Sequence, residues 1–293
     1  MTELKKHKNC LVCDSENLSE LPRFTSSFLV KCSDCGFVFS NRIPSHEELE
    51  NYYDSDYDVT RYFSPITEKR YNVLLDSFEK ERKTNRILDV GAGYGFFLEA
   101  AKKRGWEVYG TEISDDAISH CTEKGINLFK GPIETIDFGD LTFDIVVSIE
   151  VIEHLNTPKS FVEHICNLLR PNGLFYVTTP NFDSTLRYWL GEKYDVIGYP
   201  NHLCYYTPKT LKNLMERSGF KSDSVKTTGL SVTRIKTSMG QSDQDYVSET
   251  SDDEMLRYRI EKNKALKMMK TSTNGVLNLL KIGDSLKGSF RKK

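Results

Sequence analysis

The stretch Ile87-Leu88-Asp89-Val90-Gly91-Ala92-Gly93-Tyr94-Gly95, followed at the end of the next apolar run by Glu112, decides the fold. Four apolar or acidic residues form a buried strand, three glycines turn the chain, and Phe96-Phe97-Leu98-Glu99-Ala100-Ala101 opens a helix. The chain must reverse sharply there while its backbone approaches a ligand. A Cβ at Gly91, Gly93 or Gly95 is expected to fill that space, and glycine reaches φ > 0 without steric cost. Glu112 closes the run Trp106-Glu107-Val108-Tyr109-Gly110-Thr111, where a carboxylate can accept both hydrogen bonds of a ribose diol. The pattern predicts a site for the adenosyl half of a nucleotide-like cofactor. Its spacing is Gly-x-Gly-x-Gly, not the Gly-x-Gly-x-x-Gly of dinucleotide folds.

The block resembles motif I of the class I S-adenosylmethionine-dependent methyltransferases. That resemblance implies an α/β, Rossmann-like, doubly wound and mostly parallel seven-stranded sheet. It also implies S-adenosylmethionine as cofactor, with Asp89, Gly91, Gly93, Gly95, Glu112, Ile133 and Glu150 around it. The pattern downstream agrees with such a sheet. Ser114–Lys124 reads as a helix with Ser114 able to cap it, and Ile126–Phe129 as a short strand. Phe143–Ser148 is an unbroken apolar run suited to the centre of a parallel sheet. Helices are expected over Pro158–Arg170 and from Pro208 to Arg217, with a turn at Pro171-Asn172-Gly173 and a strand over Leu174–Thr178. Residues 238–254 are polar and acidic and read as a loose loop, and 255–282 carry helical spacing. Ser285–Phe290 reads as a closing antiparallel strand.

Four of the seven cysteines stand as Cys10-x2-Cys13 and Cys32-x2-Cys35. Two such knuckles can place four thiolates around Zn²⁺, in a closed and therefore structural site. Residues 1–43 are read as a zinc ribbon with strands at Phe28–Lys31 and Phe37–Phe39. Cys121, Cys166 and Cys204 read as buried small hydrophobes. Residues 44–84 form a helical connector, and 85–293 the catalytic domain with a helical insertion at about 250–282. The ribbon, then Pro44-Ser45 and Tyr52-Tyr53, then motif I, resemble bacterial sugar and polysaccharide methyltransferases. That resemblance implies a nucleotide-linked sugar or surface-polysaccharide unit as acceptor, and a connector that serves as a lid, with Tyr52, Tyr53, Tyr57 and Tyr62 on it.

Glu150-Val151-Ile152-Glu153-His154 ends the central strand, and His202 follows the strand that ends Thr178-Thr179-Pro180-Asn181. Glu150, His154 and His202 are the candidate catalytic residues. Either histidine could take the proton from an attacking hydroxyl. Alternatively Glu150, Glu153, His154 and His202 could hold a second divalent cation that acidifies the hydroxyl. The Glu-x-x-Glu-His run resembles both small-RNA 2′-O-methyltransferases and ubiquinone-pathway O-methyltransferases. An RNA 2′-O-methyltransferase and a non-catalytic cofactor-binding scaffold therefore stand as the alternative functions.

The whole chain of 293 residues has a net charge of −2, which leaves no electrostatic footprint for nucleic acid. It has no apolar run long enough to span a bilayer. The N-terminus is basic without an apolar segment after it, so no secretory signal is expected and the expected location is the cytoplasm.

Overall fold

The computed structural model describes residues 5–45, 47–49, 52, 62–240 and 252–293. Tyr53, Tyr57 and residues 241–251, with most of the expected loose loop, lie outside the described residues.

A seven-stranded sheet forms the frame, in the order β10-β11-β8-β7-β4-β5-β6. β4 (Arg86–Val90), β5 (Glu107–Glu112), β6 (Leu128–Lys130), β7 (Phe143–Ile149) and β8 (Leu169–Pro180) run parallel. β11 (Ser285–Lys292) lies antiparallel between β8 and β10 (Phe220–Thr228), which confirms the expected closing strand. β7 is buried along almost its whole length, as its sequence FDIVVSI requires of a central strand. Its alternate residues face opposite layers. Ile145 and Val147 pack with α1 (Pro65–Phe78) and α2 (Phe96–Lys103), while Val146 packs with α4 (Pro158–Leu168) and α6 (Pro208–Arg217). α3 (Asp115–Glu123) starts at Ser114, whose hydroxyl accepts from Ala117 N, as expected of the cap.

Several boundaries move. The helix expected to reach Arg170 stops at Leu168, and β8 begins at once. The Pro171-Asn172-Gly173 turn survives as a bulge inside β8, with Asn172 at φ +59 and a register shift against β7. Expected strand 126–129 forms over 128–130. The segment 255–282 is two helices, α8 (Asp252–Lys262) and α9 (Lys264–Leu280). They break at Asn263, whose side chain caps α9 by accepting from Ala265 N and Leu266 N. α5 (Thr185–Leu190) and α7 (Val232–Ser238) had no sequence reading.

A buried anchor sets the start of β4. Asp144 is fully buried, bonds Arg170 Nε at 2.5 Å, and accepts from Lys83 N, Thr84 N and Asn85 N at 2.8 Å each. The carboxylate therefore ties β7, β8 and the entry to the glycine-loop strand together.

The N-terminal module carries β1 (Leu18–Glu20), β2 (Leu29–Cys32) and β3 (Val38–Ser40). Its sheet gains a fourth strand from far along the chain: β9 (Cys204–Tyr205) pairs with β3 through Val38↔Tyr205 and Phe39↔Cys204. Cys10, Val12, Phe37 and Phe39 belong to the same apolar cluster as Leu88, Val146 and Tyr206. The core thus crosses residue 43, where the sequence reading drew a domain boundary.

Candidate functional site

A cleft of about 290 Å³ opens at the carboxyl ends of the parallel strands. Asp89, Gly91, Ala92, Gly93 and Tyr94 form one wall, Ile149 its floor, and Phe63, Tyr71 and Phe96 its aromatic side. Phe63 stacks on Phe96 at 4.4 Å between ring centres. All three glycines have positive φ, +75° at Gly91, +52° at Gly93 and +69° at Gly95. Their reasons differ from the expectation of one shared ligand space. A Cβ on Gly91 would sit 2.5 Å from Val151 Cγ2, and one on Gly95 would sit 2.6 Å from Cys121 Sγ. Only at Gly93 would it enter open space. Gly95 therefore serves the packing of the loop on α3, and Gly93 leaves the cleft clear.

Glu112 is buried and holds the loop shut. Its Oε2 accepts from Gly93 N at 2.8 Å, and its Oε1 from Ile113 N and Ser114 N at 2.7 and 3.1 Å. A carboxylate offers about four acceptor positions. One on Oε2 is left for a ribose hydroxyl. Asp89 is 3% exposed, its Oδ1 has no partner, and it lines the cleft. Burial, reinforced by the charge of Glu112, pushes its carboxyl up to about 8. An orphaned buried oxygen, open space at Gly93 and a spare acceptor on Glu112 fit the amino and hydroxyl groups of S-adenosylmethionine. Ile133 lies buried in the apolar core behind this face, in a short turn over Ile133–Thr135.

The second group of residues follows β7. Glu150 takes φ +55°; desolvation raises its carboxyl, while Thr178, Arg234 and Lys287 favour the charged form. Glu153 is buried, its Oε2 unpartnered, and its carboxyl is held well above the usual range by burial and then by Glu150. His154 and His202 lie 4.8 Å apart between ring centres. Each is half-buried and meets a carbonyl through Nδ1: His154 bonds Asn201 O at 2.8 Å, His202 bonds Val196 O at 2.6 Å. A neutral ring must donate there, which leaves both Nε2 atoms as lone pairs. Burial lowers His154; burial and the neighbouring His154 lower His202 to about 3. One ligand atom from each of Glu153, His154 and His202 lies within 4.8 Å of the others. Glu150 is outside this cluster, so the expected four-ligand cation site is reduced to three. A void of about 10 Å³, roughly one water in size, touches Glu153 and His202.

The four cysteines converge as expected. Cys10 Sγ lies 3.5 Å from Cys35 Sγ, and Cys13 Sγ lies 3.6 Å from Cys32 Sγ. The edge of a tetrahedron of sulfurs about 2.3 Å from a central ion is roughly 3.8 Å, so the cluster suits Zn²⁺. Burial opposes ionisation of Cys32, but the N–H groups of Cys35 and Asp34 outweigh it and bring its thiol to about 7.

Sequence reasoning missed Tyr94, whose hydroxyl donates to Asp116 at the start of α3. It also missed Arg257 from α8, which lines the cofactor cleft. Tyr94 stood inside the quoted motif and was legible; Arg257 comes from far downstream and had no local signal.

A family model described as a methyltransferase domain matches residues 63–225, more than half of the chain. The ubiquinone biosynthesis O-methyltransferase of Aeromonas salmonicida is 28% identical over 147 residues, spanning 46% of this chain and 62% of that protein. Its counterpart in Idiomarina loihiensis is 32% identical over 112 residues, spanning 36% and 45%. The chain thus covers less than two thirds of the length of these curated relatives. Among solved structures, a SAM-dependent methyltransferase from Archaeoglobus fulgidus superposes with a TM-score of 0.53 at 20% identity, covering 82% of this chain and 100% of that one. A protein from Pyrococcus horikoshii gives 0.52 at 17%, covering 83% and 99%. At these identities the structural likeness speaks to the fold. No described helix is long and apolar enough to cross a membrane. The family match, the sheet order and the glycine-loop cleft agree, and the chain belongs to the methyltransferase-domain family, with the fold of the class I S-adenosylmethionine-dependent methyltransferases.

Proposed function

We propose that the chain transfers the methyl group of S-adenosylmethionine to a hydroxyl of a small acceptor, a nucleotide-linked sugar or surface-polysaccharide unit. The observation that carries this reading is the cleft, where the unpartnered Asp89 oxygen, the open space at Gly93 and the spare acceptor on Glu112 meet; Glu150 follows Ile149 of that cleft and is the carboxyl assigned as base. Oxygen as the methylated atom is supported by the names of the relatives, which are O-methyltransferases. The sugar acceptor is supported by the ribbon and by the Pro44-Ser45 and Tyr52-Tyr53 connector.

Bound S-adenosylmethionine supplies an already activated methyl on a sulfonium. Asp89, Gly91, Gly93 and Glu112 hold the cofactor by the unpartnered oxygen, the open loop and the spare acceptor described above. Glu150 accepts the proton of the acceptor hydroxyl, while the cleft holds that oxygen in line. His202, with its pKa lowered to about 3, is a weak base and serves as a neutral ligand or acceptor through Nε2. The cysteine cluster holds a structural zinc, and residues 85–293 supply the chemistry. The expected outcome is that S-adenosylhomocysteine binds the zinc-loaded wild type. Glu150→Gln lowers kcat about 10²- to 10⁴-fold with cofactor affinity kept. Absence of binding to wild type sinks the methyltransferase reading, and full activity of Glu150→Gln sinks the base.

A second reading is favoured by the paired Nε2 lone pairs and the orphaned Glu153 oxygen. A divalent cation at Glu153, His154 and His202 would acidify the hydroxyl directly. Calorimetric titration of Mn²⁺ into zinc-loaded protein tests it, with heat expected in wild type and absent in His202→Ala.

A further inference from the structure

A larger recess, about 490 Å³, opens beside the cofactor cleft where α1, α7, α8, α9 and β11 meet. Each of these five elements sends one cation to its wall: Arg70, Arg234, Arg257, Lys270 and Lys287. Arg257 also lines the cofactor cleft, so the two cavities adjoin through one guanidinium. Arg234 and Lys287 neighbour Glu150 as well, which puts the proposed base at the same border.

Acidic groups stand around several of these cations: Glu150, Asp195 and Asp284 act on Arg234, and Glu150 acts on Lys287. Asp284 is the one acid among the described lining residues, and its Oδ2 accepts from Ser231 N at 2.7 Å. Farther out, Glu254 approaches Arg257 at 3.9 Å and Glu261 approaches Lys270 at 3.8 Å. Burial and then Arg70 hold both Lys287 and Lys270 below the ordinary lysine range. A cavity that gathers three guanidinium and two ammonium groups from five elements on its wall offers an anionic ligand several charged donors at once. Its volume is well above that of a single phosphate and lies in the range of small-molecule sites. Guanidinium groups match phosphate oxygens with paired N–H donors.

We infer that this recess binds the diphosphate of the acceptor, with Arg70, Arg234, Arg257, Lys270 and Lys287 around the phosphates and the acceptor hydroxyl delivered to Glu150. The inference rests on the methyl-transfer reading above and specifies its substrate as a diphosphate ester.

The test uses the full zinc-loaded chain saturated with S-adenosylhomocysteine and uridine diphosphate as probe, followed by calorimetry at low and moderate salt. The probe is expected to bind, to bind more weakly as salt rises, and to be displaced by inorganic pyrophosphate, while uridine does not bind. Lys270→Met and Lys287→Met each weaken it about tenfold, and the double variant more, because a charged hydrogen bond is lost while the aliphatic stem stays. Unchanged affinity for S-adenosylhomocysteine in the variants shows that they are folded. Equal affinity of wild type and double variant for the probe, or no binding at millimolar probe, overturns the inference. Tighter binding of a single-stranded RNA oligonucleotide through the same two lysines also overturns it, in favour of a polynucleotide. These failures differ from failure of the methyl-transfer reading, which shows as loss of S-adenosylhomocysteine binding in the wild type.

Discussion

Replacing Asp89 by asparagine should make stability less dependent on pH. Asp89 is 3% exposed, next to Glu112, with one oxygen unpartnered, and its carboxyl stands at about 8 against an ordinary 3.8. The folded state keeps a proton that the unfolded chain releases. The contribution to stability is therefore fully present below pH 3.8 and is lost progressively as pH rises towards 8. Each pH unit inside that window takes up to about 1.4 kcal/mol from the wild type. The asparagine side chain is neutral at every pH, has nearly the same shape, and takes no part in the loss. From about pH 5.5 to about pH 7.5 the variant should gain about 2.7 kcal/mol relative to wild type. Urea unfolding of the zinc-loaded proteins reads this, with Trp106 as reporter because its ring is buried in the cluster that packs behind β4. A constant difference between the two proteins across that range would refute the reasoning, since it would mean that Asp89 is already ionised in the folded state at the acid end.

Other substitutions test the remaining supports. Gly91→Ala meets Val151 at 2.5 Å from a positive-φ backbone, and should cost about 1–3 kcal/mol in urea unfolding and weaken S-adenosylhomocysteine binding. Asp144→Ala leaves Arg170 and three backbone donors without their shared acceptor, and should cost about 3–5 kcal/mol, read by thermal or urea melts. Removing the zinc with a strong chelator should lower the unfolding midpoint of the whole chain in one transition, because the ribbon and the sheet share a core; a separate early transition of the ribbon alone would count against that coupling.

What could be read from the sequence was what is local. The glycine turn and each cysteine knuckle span only a few residues, Glu112 ends the strand that follows the turn, and their spacing carried their geometry. Phe143–Ile149 was legible because a central parallel strand needs an unbroken apolar run. β10 was not, because FKSDSVKTT at a sheet edge buries only Phe220 and Thr227 fully and leaves no apolar period. The bulge in β8 hid for a related reason: Pro171-Asn172-Gly173 announces a turn, and nothing local says that pairing resumes on both sides. The basic recess was masked by a net charge of −2, since its five cations stand between residues 70 and 287 and an average over the chain cancels them.

The ribbon illustrates how a module legible by itself acquires a role only through its partner. β3 pairs with β9, and Ser40 N donates to Leu203 O at 2.8 Å, so the ribbon fixes the backbone just after His202, from Leu203 to Tyr205. The same segment is laced from below: Leu203 N donates to Glu153 O at 2.8 Å, and Asn201 O meets His154 Nδ1. Arg42 ion-pairs with Glu48, which accepts from Tyr199 Oη at 3.1 Å. His202 thus stands beside a two-residue strand that has too few hydrogen bonds to hold itself, gripped between the N-terminal sheet and the turn that carries Glu153 and His154. The glycine loop and Glu112 are held by bonds of their own, independent of this grip. Loss of a metal held by the cysteine cluster should therefore disturb the backbone around His154 and His202 before the glycine loop, which makes the ribbon a scaffold for the imidazole pair.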